Sequence, residues 1–179
     1  VKAHLAKYLP GHPLVQTGGE NAIEPVSAAP WGSASILTIA WAYIKMLGWS
    51  GIRTSTITSL LNANYVKARI QHKYKVKYVG KHGNVAHELL VDMAEFQPLG
   101  IQVMDIAKRL IDYGFHPPTC SWPISTGILI EITESEPFEE IERLCEALLG
   151  IADEMQEIKD GNLPKDNNML KRAPHTVDA

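Results

Sequence analysis

The 179-residue sequence is poor in cysteine: it has two, Cys120 and Cys145, far apart in the chain. That excludes a disulfide-dense secreted scaffold and fits a reducing compartment better. It lacks any apolar run long and uninterrupted enough to span a bilayer, so no membrane partner is expected. It lacks a secretory signal, and it opens on Val1-Lys2-Ala3-His4 without Met, as an internal or processed start does. It also lacks an excess of either charge: the formal net charge is -3. That leaves no basic field for nucleic acid and no acidic tail. Lys73, Lys75 and Lys77 form a local run, but they alternate with Tyr74, Val76 and Tyr78, as the wet face of a strand does.

Chemical signatures are missing too. His82, His87, His116 and Cys120 match no standard zinc spacing, and there is no close cysteine pair, so no metal site is expected. No phosphate-binding loop, dinucleotide fingerprint or Ser-His-Asp order is found. Gly48-Trp49-Ser50-Gly51 lacks the spacing of a nucleophile elbow and follows no strand. No lysine stands in a desolvated setting suited to Schiff-base chemistry. No catalytic residue is therefore assigned.

What is present centres on Pro30-Trp31-Gly32-Ser33-Ala34-Ser35, which joins a loop of small residues to a helix from Ser35 to Leu47. That helix is apolar nearly all round, so it has to be covered on every side. Ser33 or Ser35 suits its N-cap, and Gly48 its C-cap. Free N–H groups of the first turn and the helix dipole together favour an anion, and Gly32 lets a ligand approach the backbone. An ordinary capped helix accounts for the same residues.

Residues 1–34 read as irregular chain, with Pro10, Pro13 and Pro25 among many apolar side chains, and a short helix at 3–9. Such a segment is expected to pack on a surface outside this sequence, or else to be disordered. Residues 35–160 read as a compact domain. A second helix runs from Thr54 to Gln71. Strands follow at 75–79 and 85–93, joined by a turn at 80–84 as an antiparallel hairpin. A helix at 103–113 turns Val103, Ile106, Ala107, Leu110 and Ile111 inward. Residues 115–123 read as rigid connecting chain, and 127–132 as a third strand. Ser135 is the expected cap of a long helix to Ile158, whose inward stripe is Phe138, Ile141, Leu144, Cys145, Leu148, Ile151, Ala152 and Met155. Residues 161–179 read as an irregular, truncated tail. The expected fold is α+β: an antiparallel sheet of about three strands covered by helices. On the second strand His87 and Glu88 point to opposite faces, so one of them needs a partner in the core or a ligand.

Several blocks in order carry a family resemblance. They are Leu9-Pro10-Gly11-His12-Pro13, Ser27 to Leu37, Trp41-Ala42-Tyr43-Ile44-Lys45-Met46, Leu61-Asn62-Ala63-Asn64-Tyr65, Asn84-Val85-Ala86-His87-Glu88, Asp112 to Thr119, Glu131 to Glu136 and Ala173-Pro174-His175-Thr176. The chain resembles the C-terminal part of the P-protein of the glycine cleavage system, a pyridoxal-phosphate-dependent glycine decarboxylase. The resemblance covers essentially the whole chain. It implies the small C-terminal domain of a type I aminotransferase-like fold, dimeric in the intact enzyme and placed in the mitochondrion or the bacterial cytoplasm. It implies decarboxylation of glycine on pyridoxal phosphate and transfer of an aminomethyl group to a lipoyl carrier protein, with the cofactor ring as electron sink. The family's Schiff-base lysine lies upstream in a His-Lys pair, and Lys2 does not match it. The cofactor would be held mainly by a missing large domain or subunit, and this chain alone would be inactive. Cys120 stands where the family would have Met. On this resemblance Gly32 and Ser33 are cofactor-side residues, and His87, Glu88 and, less directly, His12 are substrate-side residues. A non-catalytic binding or scaffold module is the alternative.

Overall fold

The computed structural model describes residues 1–177, and the chain divides into two compact units, Val1–Ile52 and a second that starts at Arg53.

The first unit begins with a 3-10 helix, Ala3–Tyr8. A parallel bridge then pairs Pro10 with Ile23. The Gly11 N–H donates to the Ile23 carbonyl at 2.7 Å, and the Ile23 N–H to the Leu9 carbonyl at 2.9 Å. The approach is so close that a Cβ on Gly11 would sit 2.5 Å from the Ile23 oxygen, and one on Gly18 2.5 Å from the Pro10 oxygen. A second 3-10 turn, Ala34–Ile36, leads into α1, Leu37–Ile70. Neither expected serine caps it. Ser33 makes no side-chain cap bond, and Ser35 is drawn into the 3-10 turn, where its carbonyl accepts from the Thr38 hydroxyl. Gly48 breaks α1 with φ 61 and ψ -174, as its C-cap role predicts. The helix resumes at once instead of at Thr54. None of the described residues of this unit is fully buried. Ile36, Leu37, Ile39, Trp41, Tyr43, Ile44, Met46 and Trp49 all stand exposed.

The second unit is built on a four-stranded antiparallel sheet of order β1-β2-β4-β3. Its strands are β1, Lys75–Lys77; β2, Glu88–Asp92; β3, Thr119–Cys120; and β4, Gly127–Glu131. The α+β class stands, with one strand more than expected. That strand, β3, lies inside the proline-rich stretch read as connecting chain. The hairpin register sets Lys75 opposite Asp92 and Lys77 opposite Leu90. The second strand is shorter than its alternation suggests, and His87 lies outside it. The reason is Asn64 on α1: its amide donates to the Val85 carbonyl at 2.8 Å and accepts from the Val85 N–H at 3.0 Å. This side chain takes the ladder partners that a longer strand would have used.

Two helices complete the core: α2, Val103–Asp112, and α3, Phe138–Lys159. Val103, Ile106, Ala107 and Leu110 of α2 are buried, as are Ile141, Cys145, Leu148, Ile151, Ala152 and Met155 of α3, while Ile111 and Phe138 stay exposed. At the start of α2 the Asp105 carboxylate accepts from the Gln102 N–H at 2.8 Å, and the Asp105 N–H donates to the Gln102 carbonyl at 3.0 Å. Pro137, not Ser135, stands at the N-cap of α3, and the Ser135 hydroxyl bonds to that of Thr133 instead. A short helix α4, Met169–Arg172, buries Leu170 in the same core. Tyr74 enters the core fully and donates to the Leu148 carbonyl at 2.6 Å. Burial pushes its phenol well up.

Candidate functional site

A recess of about 220 Å³ opens where β1 ends and β2 begins. Lys77, Tyr78, Glu88 and Trp122 line it, with Val85, Ala86, Leu90, Pro123 and Leu129 as the apolar remainder. Local backbone chemistry places the aromatic walls. Tyr78 sits at φ 58 directly after β1, and Ser121 at φ 58 directly before Trp122. Non-glycine residues rarely hold this conformation, and it costs on the order of 1 kcal/mol or more. Its result here is two large aromatics left in the open: Tyr78 is 70% exposed and Trp122 59%.

The polar groups of the recess divide cleanly. The Lys77 ammonium is paired with the Asp92 carboxylate at 2.9 Å. Burial pushes the Asp92 carboxyl up, but hydrogen bonds from the Thr126 hydroxyl, Lys77 and the Ala94 N–H outweigh it and hold it below the usual range. That carboxylate in turn raises Lys77. Glu88 has no such partner: its half-buried carboxylate makes no hydrogen bond or ion pair among the described residues. His87 is exposed beside it.

The other sequence candidates lie in the first unit. His12 accepts the Leu14 N–H at Nδ1, 3.1 Å away, so Nε2 carries the proton and donates to the Ala28 carbonyl at 3.2 Å. Both ring nitrogens are thus engaged in stapling the loop. Gly32 adopts φ 73, its N–H donates to the Ala29 carbonyl, and a Cβ there would meet nothing within 4 Å. Ser33 is exposed, and its hydroxyl has no partner among the described residues. These two form an open turn, able to give a donor to an anionic group but not to enclose one.

Two further polar sites escaped the sequence reading. A cleft of about 430 Å³ runs along Gly114 to Thr119 and the start of α3. Its Arg143 lies 3.9 Å from the Phe115 ring centre and donates to Glu140 and to the Tyr113 carbonyl, so its charge is spent. The second site is the contact of Asp112 with His175 and Arg109, with Arg109 also donating in two-pronged fashion to Glu154. Arg109 and Asp112 are a helical i,i+3 pair, but Asp112 and His175 are 63 residues apart and Arg109 and Glu154 are 45 apart, and no local pattern announces those two contacts. Among the described residues no group of three metal-ligating side chains occurs, and no helix is long and apolar enough to cross a membrane.

Residues 55–175, which take in the whole sheet and its helices, match a family described as "Glycine dehydrogenase, C-terminal domain". The second unit therefore belongs to that family of C-terminal domains. Relatives named glycine dehydrogenase (decarboxylating) align over nearly the full chain. The protein from Synechococcus sp. (strain RCC307) is 51% identical over 100% of this chain and 19% of its own length. That from Bartonella henselae is 53% identical over 99% of this chain and 19% of its own. A relative from Dictyostelium discoideum, named as mitochondrial, is 48% identical over 98% of this chain and 18% of its own. The chain belongs to the glycine dehydrogenase (decarboxylating) family, and it spans less than a fifth of the length of these relatives.

Proposed function

We propose that this chain supplies the C-terminal part of a pyridoxal-phosphate-dependent glycine decarboxylase of type I aminotransferase-like fold. The reaction would pass the aminomethyl group of glycine to a lipoyl carrier protein, in a mitochondrion or a bacterial cytoplasm. In this reading residues 1–34 lead in from a large cofactor-bearing region, 35–160 form the small domain, and 161–179 are its tail. The single observation that carries it is the run of exposed apolar side chains from Ile36, at the entry to α1, to Trp49. A contiguous exposed patch of this kind marks an interaction surface. With family membership and the share of the relatives covered, its natural cover is the remaining polypeptide, within an enzyme that works as a dimer.

Pyridoxal phosphate, when bound, supplies an electron sink for carbon dioxide loss. The described residues form no enclosing cradle for it, so Gly32 and Ser33 contribute a backbone approach and one hydroxyl to a pocket closed by the larger region. Glu88 and His87 stand on the substrate side, Glu88 as a half-buried side chain without a partner among the described residues and His87 as an exposed imidazole beside it. His12 acts through its loop, which it fastens to Ala28. Because the Schiff-base amine is expected upstream of Val1, the chain alone is inactive and develops no cofactor absorbance.

The test mixes this chain with the remaining polypeptide and measures exchange of carbon dioxide with the glycine carboxylate. Exchange that needs both pieces supports the reading. A mixture that stays inactive while the one-piece enzyme works overturns it, in favour of a non-catalytic binding module. So does stoichiometric Schiff-base absorbance on this chain alone.

A further inference from the structure

The recess between Tyr78 and Trp122 has the chemistry of a cation site, and we infer that it binds a primary alkylammonium group through the Glu88 carboxylate and the two aromatic side chains. The inference goes beyond the proposed decarboxylase reading and does not rest on it, since the ligand class it names is not that of an amino acid, and its binding test stands alone.

Charge comes first. Of the acidic and basic side chains lining the recess, Lys77 is held by Asp92, and Glu88 is left without a counter-ion among the described residues. The sheet register sets a second acidic residue beside the recess though outside its lining, because the exposed Glu131 of β4 stands directly opposite Glu88 of β2. Glu131 also has no partner among the described residues. Like charges facing each other across neighbouring strands destabilise a sheet. A bound cation relieves this repulsion, and an anion adds to it.

Shape and surface come second. Leu90, Leu129, Val85 and Ala86 give the recess an apolar lining suited to a methylene stem. Tyr78 and Trp122 are the exposed aromatics there, and ring faces attract ammonium groups within about 6 Å. Both are presented by left-handed backbone at residues that carry side chains, Tyr78 itself and Ser121. The ligand class is therefore a straight-chain primary ammonium. A zwitterion with its own carboxylate next to the amine is disfavoured, since that carboxylate would face Glu88.

The test titrates the full chain with n-butylammonium chloride at fixed ionic strength, following the Trp122 indole N–H and the Tyr78 and Glu88 amides by nuclear magnetic resonance. Saturable shifts at these three positions are expected, with none from sodium butyrate. Glu88→Gln is expected to weaken binding about tenfold or more, a charge-assisted contact being lost. Tyr78→Leu, at an exposed position outside the core, is expected to weaken it several-fold with the rest of the spectrum unchanged. Equal shifts with n-butanol, no saturable shift, or undiminished binding by a folded Glu88→Gln variant each overturn the inference. Binding that persists when the mixed pieces show no carbon dioxide exchange upholds this site while the decarboxylase reading fails. Exchange without binding does the reverse.

Discussion

The Asp112 carboxylate accepts two hydrogen bonds from His175, one from its backbone N–H at 2.7 Å and one from ring Nδ1 at 2.6 Å. Arg109 donates to the same carboxylate at 3.0 Å, so one side chain at the end of α2 fixes both a cation and the chain beyond α4. Nδ1 must carry its proton, which leaves Nε2 as a buried atom without a partner among the described residues. Asp112→Asn removes the charge from all three bonds. The expected cost is about 2 kcal/mol, in the range for hydrogen bonds to an ionised group, read from urea unfolding. A double-mutant cycle with His175→Ala should show coupling of at least about 0.5 kcal/mol. Additive losses would mean that the contact contributes nothing specific.

Acid should find the same residues. Burial pushes the carboxyls of Asp92 and Asp112 up, but their hydrogen bonds prevail and hold both below the ordinary aspartate value. The native state therefore binds fewer protons than the unfolded chain. The resulting stability is complete above about pH 4 and is lost as pH falls through the lowered native values. The urea midpoint should drop on going below about pH 4, and the drop should be shallower in Asp112→Asn.

The loop that His12 staples depends on two close backbone approaches. At Gly18, φ 73 and the nearby Pro10 oxygen leave no room for a methyl group. Gly18→Ala should open this loop at a cost of about 1–2 kcal/mol from the left-handed conformation alone, and the clash adds to it. Faster hydrogen exchange at the Gly11 and Ile23 amides, with the second unit unchanged, is the expected reading.

Asn64→Ala tests how the recess is held. It leaves the partly buried N–H and carbonyl of Val85 unpaired, each worth about 1 kcal/mol or more. The Val85 amide should lose protection, and n-butylammonium should bind more weakly although Asn64 does not line the recess. Unchanged affinity would show that the 85–87 segment positions itself.

The parts of the fold that were legible from sequence are those with a long repeat. The apolar stripes name the buried residues of α2 from Val103 to Leu110 and most of those of α3 from Ile141 to Met155, although Leu144 is only half-buried and the buried Ala147 was left out. They fail at Ile111 and Phe138, one near the end and one at the start of its helix, where one flank is open. Strand β3 was not legible, because two residues carry no period and prolines surround them. The span of β2 was misjudged for a different reason: Val85 alternates properly, but a side chain from another element had claimed its backbone. Glu88 could be singled out beside His87, yet Tyr78 and Trp122 could not be joined to it. Their meeting depends on sheet order and on two left-handed residues, neither of which has a signature in the sequence.

The brevity of the outermost strands governs how this polypeptide behaves when handled on its own. With three residues in β1 and two in β3, the rims of the sheet offer almost no free ladder for another molecule to extend. Clumping of the purified material should therefore proceed by greasy helix-to-helix association through the tryptophan-rich half of α1. It should yield detergent-reversible oligomers instead of dye-binding fibrils.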